Sequence, residues 1–151
     1  MSQKRIAIVV QRYGEEVNGG AELHARWLAE HLQEWAEVHA ITTCAVDYTT
    51  WADEYPTGTS VLNGVLVHRF PVDAARNWKG AQKRSRTLLT QTHTLFDEMV
   101  WMKAQGPYST PLLHFLQESY AYFDAFIFFT YLYATTYFGL PLVSDKAILV
   151  P

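Results

Sequence analysis

The sequence predicts an α/β protein with a Rossmann-like, mostly parallel β-sheet that is covered by helices on both faces. The apolar run at 6–10 is unbroken, as expected for a strand that is buried on both sides. Apolar runs at 125–129 and 147–150 have the same character. Between these runs lie segments with apolar residues at three- and four-residue spacing, which is typical of helices that alternate with strands.

The first strand is expected at 5–11 and the first helix at 20–34. The apolar stripe of this helix is expected to face the sheet, and it consists of Ala25, Leu28, Leu32 and Trp35. Acidic residues such as Glu22 are expected outside the stripe or near its edges. A second strand at 37–42 is followed by 43–59, which has no clear period and is expected to pass over a cleft.

A third strand is expected at 61–71. It contains Asn63-Gly64 between two apolar runs, which predicts a small hairpin formed by 60–62 and 65–67. One long helix is expected next, over 77–103, with Gly106-Pro107 ending it.

Residues 109–120 are expected to form another helix. Residues 125–143 carry no charge and approach the roughly 20 residues of a membrane span. Their tyrosines and threonines, with Gly139 and Pro141, instead favour a buried strand at 125–129, a polar loop and a short helix at 131–138.

The last apolar strand, 147–150, is followed only by Pro151, so no helix covers it. Because a parallel sheet needs both faces covered, we expect residues 1–151 to be a single domain and a fragment of a longer two-domain protein.

Composition narrows the classes of function. The 151 residues have a formal net charge of −3, which gives no indication of nucleic-acid binding. The single cysteine, Cys44, excludes an intrachain disulfide and a cysteine-based metal site. The first five residues lead directly into a short strand without the features of a signal peptide, so a cytoplasmic protein is expected.

The loop after the first strand contains Asn18-Gly19-Gly20-Ala21-Glu22 and leads into the first helix. Gly19 and Gly20 allow a ligand to approach the backbone closely, and the first amides of the helix point at that ligand. A phosphate, diphosphate or carboxylate is the expected ligand. The alternative is a tight strand–helix turn that binds nothing.

Several side chains are candidates for contacts in the cleft. Arg12 and Tyr13 stand where the first strand ends, and ligands of open α/β sheets bind outside such ends. Arg12 can pair with a carboxylate or phosphate of a ligand, or be a solvated loop charge. Glu22 is first a carboxylate that the helix dipole stabilises and second a contact for a ligand hydroxyl. Of Tyr131 and Tyr133, one is expected to face the cleft and the other the core.

A basic run follows the third strand, and it consists of Arg76, Lys79, Lys83, Arg84 and Arg86. It is expected to be a solvated helix face. Alternatively, it attracts a phosphorylated ligand or anionic lipid headgroups, and the latter would bring the protein to the inner face of a membrane as a peripheral protein.

Taken together, these features resemble the N-terminal domain of retaining GT-B glycosyltransferases, in particular family 4. The resemblance covers essentially the whole chain. It lies in the strand Arg5 to Tyr13, the loop Asn18 to Glu22, His24 and Leu28-Ala29 on the helix, and Gly64-Val65-Leu66-Val67-His68-Arg69. The double-glycine loop is its most specific part.

The resemblance implies two Rossmann-like domains that face each other across a cleft. The C-terminal domain would bind most of a nucleotide-sugar donor, with Gly19 and Gly20 near the donor diphosphate. This chain would supply the acceptor side, for a saccharide, lipid-linked or other hydroxyl acceptor. The nucleotide sugar is a co-substrate, and neither a cofactor nor a metal is implied. Without the C-terminal domain, the chain is expected to be inactive.

The chain departs from the family pattern in one place. The family commonly has a histidine after a middle strand, whereas this chain has Thr130-Tyr131-Leu132-Tyr133. Either a tyrosine makes the sugar or acceptor contact, or the polar residues come from beyond Pro151. There are two other candidate functions. An NAD-dependent oxidoreductase is disfavoured because Gly-x-Gly-x-x-Gly is absent. A stand-alone Rossmann-like binding or regulatory module remains the alternative.

Overall fold

A six-stranded sheet forms the centre of the computed structural model, which describes residues 2–151. Its strands are β1 (Lys4–Val9), β2 (Ala36–Thr43), β3 (Gly58–Leu62), β4 (Val65–Phe70), β5 (Ala125–Phe129) and β6 (Ala147–Val150). The strand order is β3-β4-β2-β1-β5-β6, and every neighbouring pair is parallel except β3 and β4. The predicted mostly parallel α/β fold is confirmed.

Helices lie on both faces of this sheet. The helices of the described residues are α1 (Gly20–Leu32), α2 (Trp78–Thr90), α3 (Leu95–Gln105), α4 (Thr110–Glu118) and α5 (Ala134–Gly139), with a 3₁₀ segment at Leu140–Lys146. Helix α1 packs on one face, whereas α4 and the 3₁₀ segment pack on the other. The two faces therefore have separate apolar cores.

Strand β1 contributes to both cores because successive side chains of a strand point to opposite faces. Ile8 packs under α1 beside Ala25, whereas Ala7 and Val9 pack on the opposite face. Ile8, Ala7 and Val9 are completely buried. This two-sided burial is the reason that the first apolar run has no polar interruption.

The predicted hairpin is confirmed. Strands β3 and β4 are antiparallel, and Leu62 pairs with Val65 across a two-residue turn. Asn63 and Gly64 occupy this turn with φ values of 48° and 83°. Positive φ at both positions is what a tight hairpin turn of this kind requires, and Asn-Gly is the sequence best suited to it.

The predicted single helix at 77–103 is wrong, because the chain breaks between α2 and α3. Gln91 is extended, and Thr94 begins α3 with a reciprocal capping box in which its side chain and that of Asp97 each bond the other's backbone amide. Two satisfied amides at a new helix start outweigh the apolar spacing that continues across the break.

The expected burial of Trp35 is also wrong: α1 ends at Leu32, and Trp35 is 68% exposed.

Residues 125–143 form the strand, loop and short helix that their tyrosines and threonines favour. The buried strand is β5, and the short helix, α5, is confined to Ala134–Gly139. Within residues 2–151, no helix has the combination of length and apolar character that crossing a membrane needs.

One polar cluster lies on the α4 face of the sheet, where β2 and β4 meet. His39 Nδ1 is 2.9 Å from His68 Nε2, and His39 Nε2 is 2.8 Å from a carboxylate oxygen of Glu37. The two imidazoles, with Phe115 and Tyr122, line a cavity of about 350 Å³. Burial, followed by the proximity of His39, lowers the pKa of His68 from 6.5 to about 4.

We expect His68 to make the folded protein sensitive to mild acid. Between about pH 6.5 and pH 4 the unfolded chain takes up a proton at this imidazole and the native chain does not, so stability is complete above this window and declines as the pH falls through it. The midpoint of thermal unfolding should therefore drop between about pH 7.5 and pH 5, and His68→Gln should reduce that drop. The exposed His31 provides a control, since His31→Gln should leave the drop unchanged. An equal drop in the wild type and His68→Gln would contradict this account.

Candidate functional site

The carboxyl ends of β1 and β5 form a topological switch point. From β1 the chain passes through α1, on one face of the sheet, to β2, which pairs with one side of β1. Strand β5 pairs with the other side of β1, and the chain reaches it through α4 on the opposite face. Open α/β sheets bind ligands in the crevice outside such a point. The loop after β1, residues 10–19, and the loop after β5, residues 130–133, border this crevice.

The two glycines at the start of α1 have different surroundings. Gly19 precedes the helix in an extended conformation, and a Cβ placed there would lie 2.1 Å from Glu22 Oε2. A Cβ at Gly20 would have no atom within 4 Å. Gly19 therefore accommodates the packing of Glu22, whereas Gly20 adjoins open space.

The first turn of α1 has amides available to a ligand. Among residues 2–151, no side chain caps this helix, and the first amide to bond within it is that of Leu23, which donates to the carbonyl of Gly19. The amides of Gly20, Ala21 and Glu22 therefore have no partner within the helix. They lie at the positive end of the helix dipole, where an anion is stabilised.

A buried ion pair lies beneath this turn. Arg12 Nε and Nη2 donate to Glu22 Oε1 at 2.9 and 2.7 Å, and Gln11 Nε2 donates to the same oxygen at 2.8 Å. Arg12 and Glu22 are only 6% and 7% exposed. The expectation that Glu22 lies outside the helix stripe or near its edges is wrong, because Arg12 reaches it from the end of β1. Neither residue is a solvated charge.

Arg12 also fixes the loops around it. Nη1 donates to the carbonyl of Val46 at 2.7 Å, and Nη2 donates to that of Asn18 at 2.9 Å. Its guanidinium lies 5.6 Å from the ring centre of Tyr48. One side chain thus joins the glycine loop to the segment after β2.

The three candidate tyrosines are in different places. Tyr13 is 1% exposed in the core beneath α1, and burial raises the pKa of its hydroxyl. Tyr131 is 61% exposed at the rim. Tyr133 is partly buried, with its ring edge-on to Trp51 at 5.3 Å. Burial, followed by the negative charge of Glu22, raises the pKa of the Tyr133 hydroxyl. Of the three tyrosines, Tyr133 is therefore the one whose hydroxyl is influenced by the charge of Glu22.

Backbone strain is concentrated at the same crevice. Thr130, which follows β5, has φ 59°, and Trp51 has φ 52°. Positive φ costs a bulky or β-branched residue about 1–3 kcal/mol, and such strain clusters at functional sites. Trp51 contacts Tyr133, and Thr130 begins the loop that contains it. Thr130 and Trp51 therefore indicate the same crevice that the strand order indicates.

Sequence reasoning did not identify Arg76 as part of this arrangement. Arg76 was expected on the basic helix face, yet it is 8% exposed and donates to carbonyls of Tyr48, Thr49 and Gln105. Its guanidinium lies over the rings of Trp51 and Trp78 at 4.8 and 4.6 Å. The aromatic residues within 43–59 were the available signal, because each provides a face on which an arginine can stack.

The crevice offers hydrogen bonds and a helix dipole rather than a free acid or base. The open amides of α1 can bind an anion, and the hydroxyl of Tyr133 can bind a polar ligand. Arg12 and Glu22 neutralise each other. Among residues 2–151, no three His, Cys, Asp or Glu side chains are arranged to hold a metal.

The different surroundings of the two glycines lead to a paired prediction. Gly19→Ala should destabilise the protein by roughly 1–3 kcal/mol, because the new methyl group displaces the Glu22 carboxylate from Arg12. Gly20→Ala should leave the stability unchanged or raise it by up to about 1 kcal/mol. Urea unfolding of both variants measures the difference. Equal stability of the two variants would refute the distinction.

The buried ion pair leads to a second prediction. Glu22→Gln leaves the Arg12 guanidinium buried without a counter-charge, so we expect a loss of about 3 kcal/mol in the free energy of unfolding. The matched control is Glu34→Gln, which alters an exposed carboxylate after the end of α1 and should change stability by no more than about 0.5 kcal/mol. A loss at Glu22 as small as that at Glu34 would mean that the pair contributes little.

Comparisons with protein-family models, with curated proteins and with solved structures find no match to this chain. The fold class is therefore established by the strand order and the two helical layers alone. Those features define an α/β protein of Rossmann-like architecture, with its crevice at the carboxyl ends of β1 and β5.

Proposed function

We propose that this chain is the acceptor-side domain of a glycosyltransferase, which moves a sugar from a nucleotide-sugar donor to a hydroxyl acceptor. The single observation that carries the proposal is the uncapped start of α1, open at Gly20 and placed at the switch point of the sheet. The resemblance of the glycine loop to family 4 of the GT-B glycosyltransferases supplies the class of reaction.

The donor diphosphate would lie against the first turn of α1. When the bond between sugar and phosphate breaks, negative charge develops on the leaving nucleotide, and amides already directed at that charge stabilise it. Because Glu22 neutralises Arg12, the attraction comes chiefly from the amides and the helix dipole. Gly20 matters because a larger side chain would occupy the space of the phosphate.

The acceptor would lie towards the loop after β5. Tyr133, which is partly buried, offers a hydroxyl there, and Tyr131 is available at the rim for a sugar or other polar group. The chemical step needs groups from a C-terminal domain that binds most of the donor, so the isolated chain would not turn over. Neither a cofactor nor a metal is part of this proposal, and the cytoplasm is its setting.

The alternative is a Rossmann-like binding or regulatory module without catalysis. The observation that favours it is that Arg12 and Glu22, the charged side chains nearest the start of α1, are buried and paired with each other. Neither can move a proton for a substrate while the pair is intact. An anion could still bind to the amides above them.

The donor role of Gly20 can be tested in the protein encoded by the complete reading frame. Gly20→Val should lower donor affinity and sugar transfer at least about tenfold, because the added methyl groups occupy the phosphate position while the helix start retains its structure. Calorimetry with nucleotide sugars and a transfer assay give the two readouts.

The matched control is Gly80→Val, the same change in the first turn of α2, and it should leave donor affinity unchanged. Unaltered donor binding by Gly20→Val would exclude the proposed phosphate contact. Donor binding without transfer by the complete protein, whatever acceptor is supplied, would favour the binding module. Turnover by residues 1–151 alone would contradict the requirement for a second domain.

A further inference from the structure

The hairpin formed by α2 and α3 ends in an exposed apolar tip. Leu89, Leu95 and Phe96 flank the turn between the helices and are 80%, 67% and 72% exposed. Met99 and Val100 extend the apolar surface along α3. Single exposed apolar residues are ordinary, but a contiguous group of large ones indicates an interaction surface.

The tip is held in place by the hairpin itself. Trp101 Nε1 donates to Ser85 Oγ at 2.7 Å, which joins the two helices, and the capping box at Thr94 fixes the start of α3. The apolar side chains are therefore presented by an ordered element.

Positive charge accompanies the apolar tip. Residues 77–94 contain Lys79, Lys83, Arg84 and Arg86 and no acidic residue, although the chain as a whole has a net charge of −3. The two acids that follow on α3 already have partners: Asp97 is bonded within the capping box, and Glu98 lies 2.9 Å from His93. The end of the hairpin and the helix behind it therefore carry an excess of positive charge.

The order of these groups along α2 matches the depth profile of a membrane surface. At 1.5 Å per residue, Arg86, Arg84 and Lys83 lie roughly 4.5, 7.5 and 9 Å behind Leu89. Apolar groups at a membrane interface enter about 5–10 Å into the boundary between headgroups and acyl chains. When the tip enters along the axis of α2, these cations come to lie at the level of the lipid phosphates. A second copy of this chain would bring four cations against four cations, which disfavours self-association through this surface.

We propose that the α2–α3 hairpin docks the protein on a bilayer that contains anionic lipid. The tip enters the headgroup boundary, and the cations of α2 contact lipid phosphates. Arg76, at the base of the hairpin, is bonded to the segment beside the crevice, so docking would hold the crevice near the bilayer. In combination with the proposed function, on which this last step rests, docking makes a lipid-linked hydroxyl the acceptor class.

The test is sedimentation of the chain with vesicles of phosphatidylcholine alone or mixed with phosphatidylglycerol. We expect binding to the mixed vesicles, little binding to the neutral ones, and release as the salt concentration rises. Lys83→Gln/Arg84→Gln/Arg86→Gln should weaken the partition roughly 100-fold, since each cation near an anionic surface contributes about fivefold. Leu89→Ser/Phe96→Ser should weaken it at least about tenfold.

The matched control is Trp35→Ser, which removes an equally exposed aromatic group outside the hairpin and should leave the partition unchanged. Circular dichroism of every variant verifies folding. Failure of the wild type to sediment with mixed vesicles would overturn docking, as would equal sedimentation of the hairpin variants. Binding to soluble heparin without binding to vesicles would assign the cations to another polyanion and also overturn it. Vesicle binding requires no donor, so it can succeed or fail independently of sugar transfer.

Discussion

The buried pair of Arg12 and Glu22 is the interaction on which the geometry of the crevice depends. It joins the end of β1 to the first turn of α1, and Arg12 extends it to carbonyls of Asn18 and Val46. Two charges removed from water are tolerated only when their hydrogen bonds are satisfied. Here the guanidinium has carboxylate and carbonyl partners, and Gln11 adds a donor to the carboxylate. The position of the helix start follows from this network.

Because of this network, the side chains that maintain the structure of the crevice differ from the groups that are available to bind a ligand. Because the two charges are used within the protein, the groups that remain open at the crevice are the backbone amides of the first turn of α1, with Tyr131 exposed at the rim. Amides fixed by a helix need no rearrangement when a negative charge develops beside them. Strain at Thr130 and Trp51 is maintained by the same packed surroundings, since nothing local would favour positive φ at either residue.

The fold was largely predictable from the sequence. Unbroken apolar runs indicate buried strands, and Asn63-Gly64 indicates a hairpin turn, because both depend on residues that are neighbours in the sequence. The break between α2 and α3 was missed although Thr94-x-x-Asp97 was in the sequence, since apolar spacing continued across it. The positions of Gly20 and Tyr133 near the crevice followed from topology. The burial of Glu22 and Arg76 did not, because it depends on partners brought together only by the folded loops.

Gly19 and Gly20 are adjacent in this loop, but they are subject to different evolutionary constraints. Gly19 is constrained by a neighbour inside the protein, whereas the space around Gly20 belongs to the solvent or to a ligand. In a set of diverging sequences, substitution at the first position should therefore be accompanied by change at position 12 or 22. Substitution at Gly20 should occur without changes at positions 12 and 22. It should instead coincide with a change in the ligand that the protein binds. Sequence changes at Gly19 would thus reflect the packing of the protein, whereas sequence changes at Gly20 would reflect the ligand that it binds.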